Sequence, residues 1–154
     1  MRLRRMQLPV PRHDGCMTRY ADASLHPLTS DAEVEQRVAE LIGGACRRQL
    51  WFMFLDERGV QLPLLVPVAD HPRRPPKGRG AHLDAMVRHL VDTVDAASVI
   101  VVIERPGAPS LSRDDREWAL ALHEACGTAE VPLRALLLSH RAGVRWVAQD
   151  DYRF

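Results

Sequence analysis

The feature that most constrains the fold is a run of five aliphatic, β-branched residues at positions 99–103. The run is too short for a helix and has no polar side, so it suits a strand that is covered on both faces. Strands of this kind lie in the middle of sheets that have helices on either side. The sequence therefore predicts a central strand of an α/β domain.

An irregular loop and a helix follow this strand. Residues 104–111 contain two prolines and a glycine, which interrupt both helical and strand periodicity. Ser112 followed by Asp115 has the spacing of a capping box, in which two side chains satisfy backbone amides at the start of a helix. Open α/β proteins often bind ligands in such a loop, because free amides and the helix dipole point into it.

The rest of the chain alternates helical and strand patterns, with turn signals between them. The predicted order is a helix from Ser30, strands over 49–56 and 60–68, a helix over 83–94, the strand over 99–103, a helix from Ser112 that stops at Gly127, and strands over 133–139 and 144–148. This order predicts a single α/β domain with a mixed β-sheet and about three helices.

Prolines refine this prediction in two places. Pro63 and Pro67 cannot donate ladder hydrogen bonds, so the second strand is expected at an edge of the sheet or with an interruption. Residues 69–80 hold three prolines, two glycines and four basic residues. This stretch is interpreted as a solvated connection, with a basic docking loop as the alternative reading.

The chain has 154 residues and a formal net charge of +1, which gives no electrostatic reason to expect nucleic acid or a membrane surface as partner. No apolar run approaches the roughly 20 residues needed to cross a bilayer. Its three cysteines, Cys16, Cys46 and Cys126, are far apart, which speaks against a disulfide framework and against a zinc site. A cytoplasmic protein is predicted.

Three segments are expected along the chain. Residues 1–28 contain prolines and scattered charges without a sustained period, which is typical of a poorly ordered lead-in. Residues 29–149 form the α/β domain, and residues 150–154 form a C-terminal tail.

The order of elements resembles the RadC-like branch of the JAB/MPN metalloprotease superfamily over residues 30–148. In that family the central strand ends in His-x-His, continues as Pro-Ser-Gly and reaches Pro-Ser-x-x-Asp at the next helix. The two His and the Asp bind zinc, and an upstream Glu activates the zinc-bound water. Residues 112–115, Ser-Arg-Asp-Asp, are similar to the last motif, and Pro106-Gly107 is similar to a remnant of the one before.

The chain departs from the family pattern at the decisive positions. Ile103-Glu104-Arg105 stands where His-x-His is expected, and Arg47-Arg48-Gln49 stands where the Glu is expected. A zinc hydrolase needs about three ligands, an open coordination position and a carboxylate that moves the proton. Arg105 would place a fixed positive charge beside the ion. The resemblance thus implies a JAB/MPN-like (cytidine-deaminase-like) architecture without catalytic residues, metal ligands or cofactor.

Five residues around the loop are candidates for binding a ligand or partner: Glu104, Arg105, Ser112, Arg113 and Asp115. Asp115 is either a surviving metal ligand or the reciprocal half of a helix cap, and the cap accounts for both Ser112 and Asp115. Glu104 and Arg105 are either a ligand-reading pair, with Arg113 and the helix amides attracting an anion, or an ordinary surface ion pair on a solvated loop.

The predicted function is protein interaction or scaffolding by a catalytically inactive domain, through the 104–113 loop and a sheet edge. A homodimer follows from the resemblance alone. One alternative is a metal-dependent hydrolase with relocated ligands drawn from His71, His82, His89 and Asp115. The other is a domain that senses a small anion or nucleotide at the loop.

Overall fold

The computed structural model describes residues 26–76 and 82–153, together with the backbone of residues 2–3 and 6–7. The strands are β1 (Arg2–Leu3), β2 (Met6–Gln7), β3 (Gln49–Leu55), β4 (Gln61–Ala69), β5 (Ser98–Glu104), β6 (Leu133–His140) and β7 (Gly143–Trp146). The helices are α1 (Asp31–Leu41), α2 (Leu83–Val94), α3 (Arg113–Thr128) and a short 3-10 helix, Gln149–Asp151.

The five longer strands form one mixed sheet in the order β4-β3-β5-β6-β7. β5 lies in the middle, antiparallel to β3 and parallel to β6. The β5–β6 pair is parallel because α3 carries the chain back across the sheet between them, whereas hairpins join β3 to β4 and β6 to β7. Residues 99–103 are fully or almost fully buried. The predicted central strand, the α/β class and the mixed sheet are confirmed.

Helices cover both faces of the sheet. Val34 and Val38 of α1 pack on one face, against Ile100 and Val102 of β5. α2 and α3 pack on the other face, where Trp118 of α3 is 1% exposed. Strand residues alternate between the two faces, so each helix layer meets every second residue of β5. The all-apolar sequence of β5 thus follows from its cover on both faces.

Of the two positions that the prolines predicted for β4, an edge of the sheet or an interrupted strand, the structure shows the interruption. Its ladder with β3 shifts register between Met53 and Leu55, and Pro63 lies in the part of β4 between the two paired stretches. The other side of β4 pairs antiparallel with the two-residue strands β1 and β2. Pro63 therefore lies where the ladder is interrupted and fewer hydrogen bonds are required, whereas Pro67 lies opposite Trp51 within the ladder.

Serines begin two of the helices. Ser30 accepts a hydrogen bond from the amide of Glu33 at the start of α1, and Ser112 forms the predicted reciprocal capping box with Asp115 at the start of α3. The predicted stop at Gly127 is wrong, because α3 continues through Gly127 to Thr128. The left-handed residue that follows the helix is Glu130, with φ of 57°.

The two terminal segments are described only in part. Within the lead-in of residues 1–28, the structure gives strands β1 and β2 and the chain from His26 onward, while residues 1, 4–5 and 8–25 lie outside the described residues. In the tail, Tyr152 is 4% exposed and its hydroxyl lies 3.1 Å from Nδ1 of His123. None of the helices in the described ranges has the length and apolar character needed to span a membrane.

Candidate functional site

The end of β5 sends two consecutive charged side chains to opposite faces of the sheet. Glu104 lies on the α1 face, where it accepts hydrogen bonds from the side chains of Gln49 (2.6 Å) and Trp51 (2.8 Å). It also accepts bonds from the amides of Cys46 (2.8 Å) and Arg47 (3.2 Å). This carboxylate thereby ties the segment before β3 to the end of β5.

Glu104 is only 4% exposed. Burial alone would raise the pKa of its carboxyl group, but the four donors stabilise the charged form and hold the pKa below its ordinary value. Glu104 is therefore ionised at neutral pH and its lone pairs are engaged by the protein.

Arg105 points to the opposite face, toward α3, and is 6% exposed. Its Nε lies 3.2 and 3.1 Å from the two carboxylate oxygens of Asp115, and its Nη2 lies 2.7 Å from Oδ2. Nη1 donates to the carbonyl of Ala108 at 2.6 Å, and Nη2 also donates to the carbonyl of Ser110 at 2.9 Å. The loop after β5 is thus wrapped around a guanidinium group.

This wrapping explains the glycine in the loop. Gly107 has φ of 130°, a backbone conformation that residues with a side chain rarely adopt, and a Cβ atom there would lie 3.1 Å from Nη1 of Arg105. The loop comes this close to the guanidinium because residue 107 lacks a side chain.

Asp115 takes part both in the ion pair with Arg105 and in the capping box of α3. Its carboxylate accepts the three bonds from Arg105 and a 2.8 Å bond from the amide of Ser112, and its own amide donates to Oγ of Ser112 at 3.1 Å. Burial would raise the pKa of Asp115, but Arg105 and Ser112 together bring it below the ordinary value. The capping interpretation of Asp115 is confirmed.

The five sequence-predicted site residues do not form one group. Glu104 and Arg105 have separate partners on opposite faces, so they are neither a pair with each other nor an exposed ion pair. Arg105, Ser112 and Asp115 are brought together. Arg113 points outward and pairs with Glu117 one helical turn away at 3.1 Å, with its side chain 78% exposed.

The histidines of the relocated-ligand alternative lie in different surroundings. His71 is buried edge-on against Trp118, with ring centroids 4.9 Å apart, and its Nδ1 donates to the carbonyl of Pro72. His82 precedes α2 and His89 lies on its exposed side. In the part of the chain that the structure describes, no three His, Cys, Asp or Glu side chains converge as they would around a metal ion.

Two cavities open at this end of the sheet, and Arg48 lines both. The larger, of about 690 Å³, lies beside Glu104, and the smaller, of about 360 Å³, lies beside the 105–112 loop. We call the two together the strand-end cleft. The larger cavity is lined by Leu41, Ile42, Gly44, Cys46, Arg47, Arg48, Gln49, Trp51, Pro67, Ala69, Asp70, His71 and Glu104. The smaller is lined by Arg48, Arg73, Arg105, Pro106, Gly107, Ala108, Ser110, Leu111, Ser112, Asp114 and Asp115.

Sequence reasoning missed the cationic residues of this cleft. Arg48 precedes β3 and Arg73 belongs to the loop after β4, so both come to β5 from sequence-distant segments. One signal pointed to Arg48: it lies in the stretch where the resemblance expects a catalytic glutamate. Arg73 lies in the 69–80 stretch, which the sequence predicted as a solvated connection, with a basic docking loop as the alternative.

Neither the protein-family models nor the curated proteins with which the chain was compared include a match.

Proposed function

We propose that this chain is a catalytically inactive domain of JAB/MPN-like type that binds a protein partner through the strand-end cleft. The observation that carries the proposal is the buried Arg105, whose guanidinium lies against Asp115 at the end of the central strand. Asp115 is the residue that the resemblance equates with a zinc ligand, and Ile103 and Arg105 stand at the positions of the two His.

The charge and hydrogen bonds of this centre oppose metal hydrolysis. A zinc site of this type needs free lone pairs from about three ligands and one open position for water. Here the carboxylate of Asp115 already accepts bonds from Arg105 and Ser112. A cation placed beside Arg105 would meet a fixed positive charge in a region of reduced solvent screening.

Two surfaces support binding as the remaining role. The strand-end cleft is concave and lined by both charged and apolar side chains. At the far side of the sheet, β7 is an edge strand whose four residues are partly exposed, so its outer backbone groups can pair with an added strand. A homodimer through such an edge stays a prediction.

The metal-free part of the proposal is tested by restoring the missing ligands. Wild type and the double variant Ile103→His/Arg105→His are incubated with zinc, desalted and analysed for bound metal, with circular dichroism as the folding control. We expect no stoichiometric zinc on the wild type and about one equivalent on the variant, because two imidazoles would then flank Asp115. Stoichiometric zinc on the wild type that is lost in Asp115→Asn would reject the proposal.

The binding part is tested by site-specific photo-crosslinking in an extract of the native cell. A photoreactive residue replaces Arg48 in the cleft, and a matched one replaces Arg116, an exposed arginine of α3 outside the cleft. A defined crosslinked protein from position 48 and none from position 116 is expected. Equal crosslinking from both positions would argue against the cleft as the contact surface.

A further inference from the structure

The strand-end cleft carries positive charge that the protein itself does not neutralise. The side chains of Arg47, Arg48 and Arg73 make no hydrogen bond or ion pair with any other residue that the structure describes. Arg48 and Arg73 line the same small cavity, one from the segment before β3 and the other from the loop after β4. The guanidinium groups of Arg48 and Arg73 therefore reach one concave surface from two segments that adjoin paired strand ends, since Gln49 pairs with Ala69.

The acidic residues nearby are engaged elsewhere. Glu104 accepts hydrogen bonds from four donors, and Asp115 forms an ion pair with Arg105. Asp114 accepts a 3.1 Å bond from Arg74. Among the described lining residues, Asp70 is the carboxylate without such a partner, and it lines the larger cavity only. The excess charge of the smaller cavity thus belongs to Arg48 and Arg73.

We infer that Arg48 and Arg73 form a clamp for the carboxylate side chains of an acidic peptide segment in the partner protein. The inference rests on the proposed function and deepens it by naming the partner's chemistry. A guanidinium group donates two parallel bonds to a carboxylate, so two arginines on one cavity suit one or two Asp or Glu side chains.

The cleft favours a carboxylate over a phosphate. Phosphate sites use free amides at a helix start, but here the capping box engages the amides of Ser112 and Asp115. The carboxylate of Asp114 also lines the cavity and would repel a dianion more strongly than a single negative charge. The loop lacks the repeated glycines of phosphate-binding loops.

The shape of the cleft favours an extended chain over a small molecule. Arg48 lines both cavities, so a ligand that contacts both would extend past this side chain. Apolar side chains line the larger cavity, among them Ile42, Trp51 and Pro67. A peptide with an acidic residue at Arg48 and an aliphatic residue next to it would place each group against a surface of matching polarity.

The test measures fluorescence polarisation of a labelled peptide that alternates Glu and Leu, against the same peptide with Gln in place of Glu. We expect the Glu peptide to bind the wild type and the Gln peptide to bind at least about tenfold more weakly, because charge-assisted bonds are lost. Arg48→Ala and Arg73→Ala should each weaken binding about tenfold, and added salt should weaken it further. Arg116→Ala removes the same charge outside the cleft and should bind like the wild type.

Four results would overturn the clamp. They are failure of the wild type to bind the Glu peptide, equal binding of the Gln peptide, wild-type affinity in Arg48→Ala/Arg73→Ala, or displacement of the peptide by millimolar inorganic phosphate. The zinc measurement on the wild type and on Ile103→His/Arg105→His does not depend on any of these four results. Failure of the clamp is therefore distinguishable from failure of the metal-free proposal, which zinc on the wild type would reveal even if the peptide binds.

Discussion

Arg105 and Asp115 share three hydrogen bonds inside the fold, where each charge has lost most of its hydration. Desolvation of such a pair costs several kcal/mol per ion, and the attraction between the charges offsets this only when the geometry is good and the remaining donors are satisfied. The carbonyl groups of Ala108 and Ser110 accept hydrogen bonds from the remaining donors of Arg105. At the scale of single residues, the site is therefore sensitive to removal of one partner.

We expect Arg105→Ala to lower the free energy of unfolding by about 3–5 kcal/mol, because it leaves the Asp115 carboxylate buried without a counter-charge. Urea unfolding measures the change, with Arg113→Ala as the control that removes an exposed arginine and has little effect. Arg105→Ala/Asp115→Ala should lose less than the sum of the single losses. Strict additivity would show that the two side chains do not stabilise each other.

Glu104→Gln should lower the free energy of unfolding by about 2–3 kcal/mol. The carboxylate accepts four hydrogen bonds on two oxygens, whereas a neutral amide has a single acceptor oxygen. Some of the donors from Cys46, Arg47, Gln49 and Trp51 would therefore lose their partner. Glu124→Gln, at an exposed position of α3, is the matched control. A loss no larger than that of the control in urea unfolding would contradict the assigned network.

At the scale of elements, α3 does not end at the glycine that predicted its end: Gly127 lies inside the helix, which ends at Thr128. The amide of Glu130 donates to the carbonyl of Gly127, and the amide of Val131 donates to the carbonyl of Cys126. These bonds close the helix as a Schellman motif, which places its left-handed residue at Glu130. Gly127 stays helical, and a Cβ atom there would meet nothing within 4 Å.

Two substitutions at this helix end should therefore stabilise the protein. Gly127→Ala is expected to raise the free energy of unfolding by about 0.5–1 kcal/mol, because alanine loses less backbone freedom on folding. Glu130→Gly should raise it by about 1 kcal/mol, because glycine adopts the left-handed conformation without steric cost. Gly43→Ala is the opposing control, since Gly43 has φ of 65° and a side chain there should lower the free energy of unfolding by about 1 kcal/mol. Thermal unfolding that ranks Glu130→Gly below the wild type would contradict this account.

Across the whole molecule, buried titratable groups on both faces of the sheet make the stability fall when the pH is lowered. Burial lowers the pKa of His71 and of His140, with neighbouring arginines adding to the shift. Hydrogen bonds overcome burial to lower the pKa of Glu104 and Asp115. Each of these groups binds protons more readily in the unfolded chain, so acid favours unfolding.

We expect the free energy of unfolding to be highest near neutral pH and to fall in two stages on acidification. The first stage begins as the pH drops through about 6.5, the pKa of a histidine in the unfolded chain, and the second begins below about pH 4, where unfolded carboxylates titrate. Urea unfolding from pH 7.5 to pH 3 measures both stages. His71→Gln should flatten the first and Asp115→Asn the second, and a stability that rises on acidification would contradict the assigned shifts.

The sequence predicted most of the elements because their signals are local. Residues 99–103 lack any polar position, and Ser112 and Asp115 lie three residues apart, so both the strand and the helix start follow from neighbouring residues alone. Pro63 predicted the interruption of β4 for the same reason. These features need no knowledge of which strands pair.

The candidate site was less predictable because its contacts join distant parts of the chain. Trp51 and Glu104 meet only because β3 and β5 pair in a register that brings Gln49 opposite Glu104. Arg48 and Arg73 share a cavity only because the start of β3 pairs with the end of β4 on one side and with the end of β5 on the other. Register and loop path decide these contacts, and neither has a pattern in the sequence.

The opposed anchoring of Glu104 and Arg105 has a consequence for selectivity. A peptide bound in the strand-end cleft, as proposed, would contact backbone that the buried Glu104 and Arg105 already hold by hydrogen bonds, so binding would not have to order it. The conformational entropy lost on binding would come from the long side chains of Arg48 and Arg73, and would cost up to roughly 2 kcal/mol for each. We expect such a site to select peptides by the complementarity of their shape to the cleft. Peptides whose binding requires the ends of the strands to move should bind more weakly.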